Sequence, residues 1–231
     1  MKLPNPTKRT IVLGRTGSGK TVFAVGLLST QNYKYMPWVI FDFKGDELIQ
    51  KLQDNFNVPT IDINKKPPKK AGLYIVRPLP IIDDDAVEQF LLECWRQQNI
   101  GIYIDEGYCI PNNSKALAVV LTQGRARRVP VIALYQRPVY MARHAIAQAD
   151  YFAVFDQNDE RDLLTTQSFI KSVRLNDGRS ISVFTELPKY WAIWYDVSEG
   201  KSELLRPCPT EDAILANFAK RLKTKPKRKF I

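Results

Sequence analysis

The segment Gly14-Arg15-Thr16-Gly17-Ser18-Gly19-Lys20-Thr21 satisfies the spacing GxxxxGK[ST] at every fixed position. The chemistry it offers is the holding of a triphosphate. Glycines let successive backbone N–H groups turn inward around anionic oxygens. A helix starting where the loop ends adds partial positive charge. In such a cradle Lys20 is placed to reach the β- and γ-phosphates, and the Thr21 hydroxyl to hold Mg²⁺.

A second group of candidates is Asp105-Glu106, at the end of the apolar run Ile100-Gly101-Ile102-Tyr103-Ile104. Asp105 is the candidate acid for Mg²⁺, mainly through its waters, and Glu106 the candidate general base for an attacking water. A kinase gains nothing from activating water, so the pair favours hydrolysis, with ATP and Mg²⁺ as the implied nucleotide and metal. The guanine-reading string Asn-Lys-x-Asp is absent: Asn64-Lys65-Lys66-Pro67 lacks the aspartate. A third group lies between Gly124 and Pro138. Gln136 ends an apolar run and is a candidate sensor of the γ-phosphate or the lytic water. Arg125 precedes the same run and is a candidate arginine finger for a neighbouring subunit. A solvated basic helix end is the competing reading of Arg125, Arg127 and Arg128.

The elements that must position these residues follow from apolar patterning. Arg9–Leu13 reads as a buried strand and Thr21–Leu28 as the helix leaving the glycine loop. Further strands are expected at 38–42, 58–63, 72–77, 100–105, 129–135 and 151–155. Helices are expected at about 46–55, 83–97, 114–127 and 159–170, with Asp83 to Asp85 supplying N-cap and first-turn acids. The alternation predicts an α/β fold, a mainly parallel sheet with helices on both faces. From Ser180 the pattern changes to two strands, 180–185 and 190–196, expected to pair as a hairpin. A last helix, about 210–222, leads into a basic tail. The organisation is then one domain: a core over 8–170, a β-rich extension over 171–209, and a helix with its tail over 210–231. The aromatics Tyr190, Trp191, Trp194 and Tyr195 read as packing residues before base-stacking ones.

Composition narrows the class. The chain has 231 residues, 45% of them hydrophobic, enough for one good core. No run of eighteen apolar residues suits a membrane span, and the first residues lack the apolar region of a signal peptide. Cys94, Cys109 and Cys208 are odd in number, fit no zinc spacing and suit a reducing compartment. His144, the only histidine, reads as a loop or surface residue and excludes histidine metal clusters. The net charge is +10. Seven of those positive charges fall between Lys220 and Lys229 without an acid among them, so the rest of the chain is only mildly basic. Such a tail suits sequence-independent contact with a phosphate backbone.

The stretch from Gly124-Arg125-Ala126 to Gln136-Arg137-Pro138 resembles the Gly-Arg-Ala…Ala-Thr-Gln-Arg-Pro segment of the FtsK/HerA superfamily of DNA-pumping ATPases. Asp42-Phe43-Lys44 resembles its Asp-Pro-Lys string, with Phe43 in place of proline. The resemblance covers about residues 8–167. Tyr135 stands where threonine is usual, and Arg127-Arg128 where small residues are, so Arg127 and Arg128 are alternatives to Arg125 for the finger. The resemblance implies a P-loop NTPase fold, the sensor role for Gln136, the finger role for Arg125, and a homo-oligomeric ring, usually a hexamer, around DNA. The size and the missing accessory domains resemble the genome-packaging ATPases of tail-less, membrane-containing icosahedral viruses. That implies double-stranded DNA without sequence readout, a capsid or portal vertex protein as partner, and action in the host cytoplasm and at the virion vertex. Two other readings stay open. One is a related motor for plasmid transfer, chromosome handling or filamentous-phage assembly. The other is a nucleotide-gated adaptor between DNA and capsid that hardly hydrolyses.

Overall fold

A computed structural model describes residues 8–175, 177–207 and 209–222. Ten strands and seven α-helices occur among them. The strands are β1 (Arg9–Leu13), β2 (Pro37–Phe41), β3 (Gly72–Val76), β4 (Gly101–Ile104), β5 (Val131–Tyr135), β6 (Tyr151–Phe155), β7 (Val173–Arg174), β8 (Ser180–Ile181), β9 (Ala192–Asp196) and β10 (Lys201–Leu205). The helices are α1 (Lys20–Ser29), α2 (Glu47–Phe56), α3 (Asp84–Gln97), α4 (Lys115–Gln123), α5 (Arg143–Gln148), α6 (Glu160–Gln167) and α7 (Glu211–Leu222).

Eight strands form one sheet in the order β10-β9-β6-β1-β5-β4-β2-β3. The six from β6 to β3 are parallel, and β9 and β10 extend the sheet antiparallel beside β6. The central strands β1, β2, β5 and β6 are buried along their whole length, which explains their near-continuous apolar sequences. One core lies under α1, α2 and α7, through Ala24, Leu28, Ile49, Leu52, Ile214 and Phe218. The other lies under α3, α4 and α5, through Phe90, Leu91, Leu117, Val120 and Ala145. Helices thus cover both faces, as the alternating sequence requires.

The order of the strands matters most for the site. β5 lies between β1 and β4, so the glycine loop, Gln136 and Asp105-Glu106 leave three neighbouring strands. Register aligns Leu13 with Tyr135 and Ala133 with Ile104. All three segments therefore emerge on the carboxyl rim, where ligands bind in open α/β sheets.

Several sequence expectations are corrected. The strand expected at 58–63 is reduced to a single bridge from Thr60 to Ile75, because Pro59 has no N–H to continue the ladder. Asp83 precedes α3 but makes no side-chain cap to it; its carboxylate accepts instead from the Leu79 N–H at 2.7 Å. α4 stops at Gln123 rather than near Arg127. There the chain turns, and the N–H groups of Arg127 and Val129 both donate to the Gly124 carbonyl. The hairpin is also paired differently. Ser180–Ile181 joins β7 in a small separate sheet, while β9 pairs with β10, a strand the polar sequence Lys201-Ser202-Glu203 disguised. His144 is half-buried on α5 rather than in a loop. Cys208 and the tail residues from Lys223 to Lys229 lie outside the described residues. Among the described residues, no helix is long and apolar enough to cross a membrane.

Candidate nucleotide site

The glycine loop is shaped by close approach. Gly14 has φ 153°, and a Cβ there would lie 2.6 Å from Phe155 Cβ and 2.7 Å from Ser18 Oγ. Only glycine lets the chain leave β1 between β5 and β6. The Gly14 N–H donates to the Tyr135 carbonyl, that of Arg15 to Asp156 and that of Ser18 to Arg15. The amides of Thr16, Gly17, Gly19, Lys20 and Thr21 find no acceptor among the described residues. Amides without acceptors at the start of a helix are groups that could hold an anion.

Lys20 is 4% exposed and forms no ion pair among the described residues. Burial lowers its pKa, partly countered by the charge of Glu106. Asp105 and Glu106, at 0% and 2% exposure, are equally enclosed. Lys44 stands between them, its Nζ 3.2 Å from Asp105 Oδ2 and 3.3 Å from Glu106 Oε1. Lys44 is the charged partner of Asp105 Oδ2, while Asp105 Oδ1 is buried without a hydrogen-bond partner among the described residues. Burial pushes the Asp105 carboxyl up to about 7, although Lys44 pulls the other way.

Gln136 ties the three segments together. Its Nε2 donates to Glu106 Oε1 at 2.9 Å, and its Oε1 accepts from the Thr16 hydroxyl at 3.2 Å. Glu106 Oε1 thus receives two donors, while Oε2 is buried with no partner. A carboxylate clamped through one oxygen and bare at the other is suited to accept a proton. Ser18 Oγ is also buried and unpartnered. The donor set would fit Mg²⁺: the Thr21 hydroxyl lies in the first turn of α1, and the buried Asp105 carboxylate could hold the ion through water, where it would supply charge neutralisation. Among the described residues no group of three or more acids, cysteines or histidines is placed to hold a metal.

The sequence by itself assigns Lys44 no role. Its signal was Asp42-Phe43-Lys44 after a buried strand. Its use depends on β2 pairing with β4, which brings that strand's end beside Asp105. Supporting contacts fix the loop: Asp42 accepts from the Asp46 N–H at 2.9 Å and from Arg77 at 3.0 Å, and Asp46 caps α2. Arg137 anchors the other side, bridging Asp162 at 2.9 Å and Asp159 at 2.8 Å.

Arg125 is not brought to this site. It lies before β5, on the amino rim, with roughly 16 Å of strand between it and Gln136. Its side chain is exposed and makes no ion pair or hydrogen bond among the described residues. Arg127 is stacked on Trp95, its guanidinium 3.8 Å from the ring centroid. Arg128 holds φ 55° on the same turn.

The DNA packaging ATPase P9 of Enterobacteria phage PRD1 is 42% identical over 220 residues, spanning 94% of this chain and 95% of that protein. The chain belongs to this family of packaging ATPases. No family model matches it. The genome packaging NTPase B204 of Sulfolobus turreted icosahedral virus 2, solved with sulfate, superposes with a TM-score of 0.67 at 20% identity, over 89% of this chain and 99% of that one. EssC (ATPases 2 and 3) of Geobacillus thermodenitrificans superposes with a TM-score of 0.61 at 15% identity, over 94% of this chain and 43% of that one. Both likenesses show the fold, which is the P-loop architecture that the resemblance to DNA-pumping ATPases implied.

The raised Asp105 pKa has a measurable consequence for this packaging ATPase. A carboxyl at about 7 in the folded chain, against 3.8 ordinarily, binds its proton more tightly when folded. Its contribution to stability is whole below about pH 4 and is lost as pH rises through about 7. Asp105→Asn removes that loss. Without nucleotide, the variant is expected to melt roughly 5–10 °C above wild type at pH 8. The gap should shrink severalfold at pH 4.5; thermal unfolding followed by circular dichroism at the two pH values checks it.

Proposed function

We propose that this chain is a Mg²⁺-dependent, ATP-driven motor that moves double-stranded DNA into a preformed viral capsid. The observation that carries the reading is the clamped Glu106. Gln136 and Lys44 hold one of its oxygens, and the other is bare and enclosed on the rim that carries the glycine loop. In the reaction Glu106 Oε2 takes a proton from water as the water oxygen bonds to the γ-phosphorus. The bond to the β–γ bridging oxygen breaks, and its electron pair leaves with ADP. Lys20 neutralises the departing phosphate charge, and Gln136 fixes Glu106 relative to Thr16. Mg²⁺, held by Thr21 and through water by Asp105, supplies further charge neutralisation when bound.

The arrangement supports a ring of identical subunits, with six as the expected number. An arginine on the amino rim cannot serve its own carboxyl rim, so Arg125 serves a neighbour's nucleotide. Beside the glycine loop an open cleft of about 430 Å³, lined by Thr16, Gln136, Asp159 and Asp162 among others, gives such an arginine a way in. The basic tail and rim residues hold the phosphate backbone without reading sequence. A capsid or portal vertex protein is the partner, and the host cytoplasm and the virion vertex are the places of action.

The test is ATP turnover by the purified protein with and without double-stranded DNA. Wild type is expected to hydrolyse ATP faster when DNA is present. Lys20→Ala should weaken ATP binding by roughly 10–100-fold, the loss of a charge-assisted contact of about 1.4–3 kcal/mol. An assembled wild type that binds DNA and ATP yet shows no turnover would favour the adaptor reading instead.

A further inference from the structure

Tyr190 differs from the other aromatics around it. Trp194 and Tyr195 are buried in the sheet, whereas Tyr190 is 44% exposed. Its φ is 67°, a conformation a bulky residue holds only where its surroundings enforce it. The ring leans on the glycine loop: a Cβ at Gly19 would lie 3.0 Å from Tyr190 Cδ1. Lys189 sits 4.8 Å from the ring centroid. With Val22 in the first turn of α1 and Pro207 just after β10, Gly19 and Tyr190 enclose a cavity of about 180 Å³. Nothing in the hydrolytic step uses this cavity.

We propose that it is the base subsite of the nucleotide, and that it grips a purine by stacking on Tyr190 without reading the purine's edge. ATP and GTP are then accepted alike. The inference rests on the glycine loop holding the phosphates. The cavity opens directly beside Gly19, where a nucleoside attached to those phosphates emerges. Its volume is well below the roughly 300–1,000 Å³ of a site for a whole drug-sized ligand, and suits one flat ring system. Its described lining is mostly apolar, formed by Gly19, Val22, Tyr190 and Pro207. Stacking on an aromatic face is tolerant of base identity, because every base has a π-face. Discrimination between bases needs placed donors and acceptors that a wrong base leaves unpaired, and the lining residues offer no set of them.

Binding of Mg²⁺ complexes of ATP, GTP, CTP and inorganic tripolyphosphate to the full chain tests the idea. ATP and GTP are expected to bind within about threefold of each other, and CTP more weakly because its single ring stacks less. Tyr190→Ala should weaken ATP and GTP by roughly tenfold, about 1.4 kcal/mol, and leave tripolyphosphate unchanged. Tyr190→Phe should behave as wild type. A preference for ATP over GTP above about thirtyfold, more than stacking alone supplies, would overturn the proposal. So would an equal loss of ATP and tripolyphosphate in Tyr190→Ala, since the ring would then only prop the loop. A Lys20→Ala variant that keeps full affinity for both ligands would sink the phosphate reading of the loop itself.

Discussion

Glu106→Gln is expected to lower ATP turnover by roughly 10²–10⁴-fold, the usual contribution of a positioned general base, while ATP binding stays near wild type. The amide keeps the shape of the side chain and can still face Gln136 and Lys44, but it has no basic oxygen to take the proton from water. The buried Oε2, which lacks a partner in the folded chain, is the atom whose loss of basicity matters. Single-turnover hydrolysis with equilibrium ATP binding separates the two effects. If turnover persists in the variant, the base lies elsewhere. A parallel fall in binding would mean that Glu106 supports the loop rather than the chemistry. Gln136→Ala should show a smaller loss of the same kind, because it frees Glu106 from its 2.9 Å donor without removing the base.

Arg125→Ala is expected to reduce turnover by roughly 10³-fold or more in the assembled ring, the scale of an arginine finger. A residue before β5 and a loop after β1 sit on opposite rims of one sheet, so no rotamer joins them within a subunit. Mixing decides the point. Rings of Arg125→Ala subunits alone and of Lys20→Ala subunits alone should both be inactive. Mixed rings should recover turnover, because a Lys20→Ala subunit lends its intact Arg125 to a neighbour with an intact glycine loop. Absence of recovery in mixed rings would assign Arg125 to a role within its own subunit. Arg127→Ala should act on folding instead, since its guanidinium lies on Trp95 at 3.8 Å, a contact worth about 0.5–1 kcal/mol at an accessible site.

The two arginines illustrate how far the sequence reaches. Arg125, Arg127 and Arg128 lie within four positions and carry the same charge, so spacing alone gave no reason to choose among them. The turn that ends α4 at Gln123 separates them: one guanidinium goes onto an aromatic ring of α3, another into solvent. Tyr190 and Trp194 are similar. Both read as packing residues, and one of them packs. The other is carried over the glycine loop by the segment between the small sheet and β9. The strands β8 and β9 lie where the sequence places them, but they do not pair with each other, and β10 went unseen. β9 is drawn to the free flank of β6, which no local pattern describes, and a polar edge strand such as β10 lacks the alternation that marks a buried one.

What the sequence determined by itself is local: a strand, a glycine-bearing turn and a helix whose first amides must face an anion, together with an acid pair at the end of a buried strand. Those elements need only neighbours in the chain, and steric rules for glycine, capping and apolar runs are enough to specify them. The tertiary structure decided the meeting of residues far apart in sequence. Insertion of β5 between β1 and β4 lets Gln136 bridge Thr16 to Glu106, and pairing of β2 with β4 sets Lys44 between the two acids. The same sheet puts Arg125 on the far rim, out of reach of its own site. Strand order is fixed by the burial of both faces of the sheet at once, a property of the whole chain, and no single segment carries it.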